Sequence, residues 1–352
     1  MDRRTRRLAT TASLAALLTG CISTVPFDAR QKITPARSRA ILREYTSQGE
    51  LALERALIGD EKRYIVTRIT IPEAPGSPET IVDYYRTKAD GNRPLLFMSP
   101  PLGTSTPGGE LRVERPFITF FANNNWDVAL VYRPRMEKPK MEGPDAVNPI
   151  DALENGMRLS VAGYRRAIDV LSQEPRVRSD RLCALGISMG GIITTVVAGI
   201  DSRIRYTVIA LAGSTDKVLA NADEESPEGF LRKLVEVMRA YGGKEKFIAD
   251  MAARSPTQPQ RYADKLDPLR TMLIISRRDK VIPRDAAEDL RGRAHYPTTR
   301  YIHLLGHTAS FVLYPVLRRE AMEFYEKRIG EDDALERLVG AGARPASAGR
   351  HE

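Results

Sequence analysis

Cysteine is almost missing from the 352 residues. There are two, Cys21 and Cys183, and so distant a pair is no disulfide framework. Histidine is scarce as well, with four at positions 295, 303, 307 and 351. His303 and His307 are a His-x3-His pair, but they fall on a strand and a loop, and no cysteine or carboxylate completes a zinc set. No metal or organic cofactor is expected. No basic run is interleaved with aromatic residues, which argues against a nucleic-acid partner. No apolar run is long enough to span a bilayer, and no internal repeat is visible. What remains is an ordinary globular composition, 42% hydrophobic and 28% charged, in a chain long enough for one large α/β domain. The formal charge is +9, of which "MDRRTRR" contributes four Arg against one Asp. The rest is scattered, as on a solvated basic surface, and such a face also suits anionic lipid headgroups.

The beginning of the chain is more specific. "MDRRTRR" is a positively charged n-region and "LATTASLAALL" an apolar h-region of secretory length. "TRRLA" matches a twin-arginine signal only in part. The following Leu18-Thr19-Gly20-Cys21 resembles a bacterial lipobox. That resemblance implies cleavage after residue 20 and acylation of Cys21, with several acyl chains making a stable anchor. Ile22, rather than Asp, then favours the outer membrane, on its periplasmic face. The plainer reading is an ordinary signal peptide with an incidental cysteine. With Cys21 acylated, Cys183 has no disulfide partner and reads as a small buried hydrophobe. The expected organisation is a signal peptide over 1–20, a lipid-anchored tether and N-terminal helical segment over 21–58, a large α/β domain over 59–330, and a flexible tail over 331–352.

Helical spacing at 39–58 gives way to two β-rich runs, 62–71 and 79–88, joined by the turn "PEAPGSP". From residue 94 short apolar strands alternate with helical segments, the rhythm of βα units and a mostly parallel sheet. Strands are predicted at 94–99, 126–132, 181–187, 205–211, 270–276 and 299–305, and helices at 109–124, 151–174, 189–199, 284–293 and 308–328. One connection, from about 211 to 270, is several times the usual length. Its charged segment has apolar residues at helical spacing, including Phe230, Leu234 and Val237, and reads as a helical lid inserted at 216–267; a solvated excursion is the bland alternative.

Within "LCALGISMGGII" (182–193) lies Gly186-x-Ser188-x-Gly190. The pattern alone arises by accident in about one chain in ten of this length. Its context is that of a nucleophile elbow, with a strand before, a helix-capable run after, and small residues where strand and helix nearly meet. A serine hydroxyl needs a general base held by a third group. In the order an elbow predicts, "TMLIISRRDKVIP" puts Asp279 past the end of one strand, and "YIHLLGHTASF" puts His307 past the last. The competitors are Asp216, at another strand end, and His303, inside the last strand and more simply a packed residue.

From about residue 60 to 328 the chain resembles the α/β-hydrolase family, most closely in "RVRSDRLCALGISMGG" and in "ISRRDKVIP". The resemblance implies an α/β-hydrolase fold, with a mostly parallel central sheet flanked by helices and the lid inserted before the strand that precedes the acid. It makes Ser188 the nucleophile, His307 the general base and acid, and Asp279 the orienting carboxylate. The oxyanion hole would use the backbone N–H of Met189 and of Leu102. Here "SPPLGTSTPGG" departs from the family, with prolines at 100 and 101 where His-Gly is common. Pro101 has no N–H, so the second donor falls to Leu102, with Gly103 as the alternative. The expected activity is cleavage of a small-molecule or lipid-like ester, or an amide, through an acyl-enzyme at the cell envelope. An acyltransferase would share that intermediate, and a non-catalytic scaffold lipoprotein would need none of the three residues.

Overall fold

The computed structural model describes residues 21–27, 53–74, 77–102, 107, 114–134 and 147–342. The leader over 1–20, Gly103, residues 28–52 of the tether and helical segment, and the last ten residues of the tail lie outside them.

The apolar runs form strands because each presents alternate residues to two cores. In the strand Arg93–Ser99, Leu95 and Phe97 pack on one side and Leu96 and Met98 on the other. In chain order the strands are β1 (Ile22–Val25), β2 (Glu54–Asp60), β3 (Tyr64–Ile71), β4 (Thr80–Thr87), β5 (Arg93–Ser99), β6 (Asp127–Val131), β7 (Val177–Ile187), β8 (Ile204–Ala210), β9 (Thr271–Ser276) and β10 (Thr298–Ile302). They make one sheet in the order β1-β10-β9-β8-β7-β5-β6-β4-β3-β2. Strands β5 to β10 are mutually parallel, while β2, β3 and β4 add an antiparallel side to β6.

Helices cover both faces: α1 (Arg115–Asn123), α2 (Pro149–Leu171), α3 (Met189–Ile200), then the lid helices α4 (Thr215–Asn221), α5 (Gly229–Ala240) and α6 (Lys244–Arg254), and finally α7 (Arg284–Arg293) and α8 (Tyr314–Gly342). Phe117 and Phe121 of α1 meet Tyr325 of α8 and buried Cys183 on one side; burial pushes the Cys183 thiol well up. The other side is filled by α2, α3 and α7. The lid is no solvated excursion, because Leu231, Phe247 and Met251 pack with Ile192 of α3 and with Val281 and Ile282.

Three expectations need correction. Residues 54–58 are strand rather than helix: pairing of 54–57 with β3, resumed at Gly59 past a shift in register, overrides the helical spacing of "ERALI". The segment just after Cys21 is not tether, since "ISTV", with three β-branched residues, completes the sheet edge against β10. The tail does not loosen at 331. Helix α8 continues because Asp333 takes bonds from Arg178 and Arg181, and Asp332 from Arg270 and Tyr206, around the amino ends of β7, β8 and β9. Among the described residues no helix is long and apolar enough to cross a membrane.

Candidate active site

Ser188 stands between the last residue of β7 and the first of α3, with φ 56° and ψ −120°, a conformation that side chains seldom adopt. Two backbone bonds hold it there. Its N–H donates to the Ala210 carbonyl at 2.8 Å, and its own carbonyl accepts from Ile192 at 3.1 Å. The turn is so tight that a Cβ on Gly186 would overlap the Gly190 carbonyl, and one on Gly190 would overlap the Ser99 carbonyl and lie 2.6 Å from that of Pro100. Glycine is therefore required at both positions by space.

His307 follows β10 on a short loop and reaches both partners. Its Nε2 is 2.9 Å from the Ser188 hydroxyl, and its Nδ1 is 2.6 Å from Asp279 Oδ2. This network fits a ring that donates from Nδ1 and accepts at Nε2. The other carboxylate oxygen, Oδ1, accepts the backbone N–H groups of Val281 and Ile282, each at 2.8 Å. Asp279 is thus oriented by its own loop before it orients the histidine. The acid and histidine loops are tied where Ser276 Oγ donates to the Leu305 carbonyl, and the lid joins them where Thr308 donates to Glu228 at 3.0 Å.

The competitors lie elsewhere. Asp216 is in the first turn of α4, and the carboxylate that meets His307 is that of Asp279. His303 bonds Ser23 Oγ at 2.7 Å and lies just past β10 rather than within it. His295 contacts the Asp264 carbonyl. Among the described residues no group of three His, Cys, Asp or Glu side chains could hold a metal.

Met189 opens α3, so its N–H belongs to the first turn and has no partner within the helix. Leu102 lines a cavity of about 120 Å³ together with Ser188 and Met189. The remaining wall is mostly apolar, with Met157, Ile192, Leu219, Leu231, Leu234 and Met251 bringing together α2, α3 and the lid.

Sequence reasoning missed Arg133. It follows the buried strand β6, is 7% exposed, and donates from Nη2 to the Pro101 carbonyl at 2.6 Å. Burial pulls its pKa down to about 10 while buried Glu114 opposes the shift, so it remains a cation at neutral pH. In a planar trans peptide the carbonyl and the next N–H point in opposite directions. Anchoring the Pro101 carbonyl therefore fixes where the Leu102 N–H points. The signal was present in "VALVYRPR", where an arginine ends a strand buried on both faces and must find a partner.

No family model matches the sequence, and no curated protein does. Solved structures do. An acetyl xylan esterase from Paenibacillus sp. R4 is 17% identical with a TM-score of 0.61, over 79% of this chain and 89% of that one. Acetyl xylan esterase 1 from Thermoanaerobacterium sp. JW/SL YS485 is 14% identical with a TM-score of 0.58, again over 79% and 89%. A bacterial brefeldin A esterase is 14% identical with a TM-score of 0.50, over 81% of this chain and 82% of that one. Their likeness, with the mainly parallel sheet and flanking helices, shows that the chain has the α/β-hydrolase fold.

Proposed function

We propose that this protein is a serine hydrolase of the bacterial cell envelope that cleaves a carboxylic ester through an acyl-enzyme, anchored through an acylated Cys21. The observation that carries the enzymatic reading is His307 within hydrogen-bond reach of both Ser188 and Asp279. In acylation, Ser188 Oγ bonds to the ester carbonyl carbon while its proton passes to His307 Nε2, and the carbonyl π pair becomes an oxyanion facing the N–H groups of Met189 and Leu102. Collapse of the oxyanion breaks the bond to the alkoxide, which leaves with the proton from His307. Water, deprotonated by the same nitrogen, then repeats the sequence and releases the acid and free Ser188. Asp279 stabilises the imidazolium in both halves without taking its proton.

The apolar cavity beside Ser188 suits an acyl chain of a few carbons, since a cavity only somewhat larger accommodates benzene. Esterases among the structural neighbours support ester cleavage. A scaffold would have no use for a strained serine, a histidine and a carboxylate in hydrogen-bonded series. The test is a fluorophosphonate probe on purified protein, read by intact mass. One adduct is expected, and Ser188→Ala should abolish it; folded wild-type protein that never labels sinks the proposal. Turnover of short esters to free acid in water, without any added alcohol, separates hydrolase from acyltransferase.

A further inference from the structure

Cys21 and the loop that carries His307 lie at the same end of β10. β1 runs antiparallel to β10 with Ile22 opposite Ile302, which places Cys21 at the carboxyl end of β10, the end from which the His307 loop leaves. The His303 N–H donates to the Cys21 carbonyl at 3.0 Å, and the Ser23 hydroxyl closes the corner onto the His303 ring. No slack separates Cys21 from the sheet. An acyl group on its sulfur would hold this corner, and not a distant tether, at the lipid surface.

The surroundings of that corner suit such a surface. Leu304 and Val312, on either side of His307, are 54% and 61% exposed. Phe230 and Leu102, which line the cavity with Ser188, are also exposed at their edges. Around buried Asp279, the acid loop exposes Arg277, Arg278 and Lys280. Apolar residues and cations exposed together match the two halves of an anionic bilayer surface, acyl boundary and headgroup.

From this arrangement we infer that the mouth of the active site is the membrane-facing surface of the protein: Cys21, the apolar lip and the acid-loop cations seat together on an anionic leaflet. Resting on the anchored-hydrolase reading above, this names the substrate class as an amphiphilic ester whose short acyl group enters the cavity beside Ser188 while its long-chain alcohol stays in the lipid. Such an orientation brings the reacting carbonyl to the headgroup level, where an ester of this kind already lies.

The experiment uses the full chain made with its own leader and reconstituted into vesicles of phosphatidylglycerol and phosphatidylcholine. Mass analysis of the peptide containing Cys21 reports acylation. Two rates are compared, for a short water-soluble ester and for a short-acyl ester of a long-chain alcohol carried in the vesicles. In the double variant Leu304→Asp, Val312→Asp, turnover of the vesicle-borne ester is expected to fall at least tenfold, with the soluble ester unchanged within about twofold. Equal retention of both rates overturns the inference. A second measurement does not depend on that variant folding well: a polarity-sensitive fluorophore on Leu304→Cys, with Cys183 protected by complete burial, should shift to the blue when anionic vesicles are added to the Cys21→Ser protein. No shift also overturns it. Loss of vesicle turnover in the double variant when Cys21 carries no acyl chain supports the facing surface and refutes the anchor. A Ser188→Ala protein that still hydrolyses both esters refutes the hydrolase reading and leaves the fluorophore test of orientation intact.

Discussion

Replacing Arg133 by methionine keeps most of the side-chain volume and removes the donor that holds the Pro101 carbonyl. A hydrogen bond from a charged, buried donor contributes about 2 kcal/mol. In the proposed mechanism, that is the free energy biasing the 101–102 peptide toward the orientation in which the Leu102 N–H meets the oxyanion. Converted at 1.36 kcal/mol per decade, its loss makes the competent orientation scarcer by a factor of about thirty. The effect has a ceiling, because removing one oxyanion donor outright costs between about a hundredfold and a thousandfold in kcat, and Met189 is untouched. Arg133→Met should therefore lower kcat on a short ester by roughly ten- to a hundredfold. KM should move little, since the hole is filled by charge that develops only in the transition state. The rate of fluorophosphonate labelling should fall in parallel, and Arg133→Lys should restore part of both. Steady-state kinetics normalised to active-site titre, with a melting temperature as control, is the assay. An unchanged kcat, or a fall carried by KM alone, would refute the reasoning.

Gly190→Ala forces a Cβ into the Ser99 and Pro100 carbonyls; a loss of about 3 kcal/mol is expected by denaturant unfolding, and a variant as stable as wild type would contradict the close approach. Hydrogen bonds from Arg178, reinforced by Arg181, hold Asp333 down at about 2. A carboxylate depressed on folding stabilises above its unfolded value of about 3.9 and loses that contribution as the pH falls through the folded value. Asp333→Asn should thus be less stable than wild type at neutral pH, with the gap closing between about pH 4 and pH 2; a gap independent of pH would exclude the ion pairs as its source. Filling the cavity from the lid with Leu234→Trp should shift preference toward acetyl esters in an acyl-length series, by about tenfold in kcat/KM against hexanoyl; an unchanged profile would remove the lid from acyl selection.

What could be read from the sequence was what chemistry forces into it. The elbow needs two glycines, a serine and a strand on one side, and His307 and Asp279 must follow at strand ends, so those positions carried their meaning locally. The edge strands carried none. "ERALI" satisfies helical spacing as well as strand, and only the partner face of β3 decides between them. "ISTV" is too short to declare itself, and it becomes a strand because β10 would otherwise expose an unpaired edge. The extension of α8 is likewise decided at a distance, by arginines more than 60 positions upstream of Asp332 and Asp333. Arg133 was legible only as an anomaly, a charge at the end of a buried strand, whose meaning depends on a carbonyl 32 residues earlier.

The strain at Ser188 shows why the reactive groups are mounted on this sheet at all. A residue at φ 56° and ψ −120° costs on the order of 1–3 kcal/mol, and it persists only where its surroundings leave it no other conformation. Here the parallel register of β7 on β8 places Ile187 opposite Ala210, and the Ala210 carbonyl then receives the Ser188 N–H. The crowding of Gly186 and Gly190 against neighbouring carbonyls closes the remaining freedom. The serine is presented by the hydrogen-bond ladder of the core, the carboxylate by two N–H groups of its own loop, and the histidine by the carboxylate. Each group is held before substrate arrives, so little reorganisation is left for the reaction itself. The parts free to vary are those mounted on top of this frame: the lid that walls the cavity, the 101–102 peptide steered by Arg133, and the apolar lip beside Cys21. Differences in substrate between proteins that share this frame should therefore reside in those three parts and leave the Ser188, His307 and Asp279 geometry unchanged.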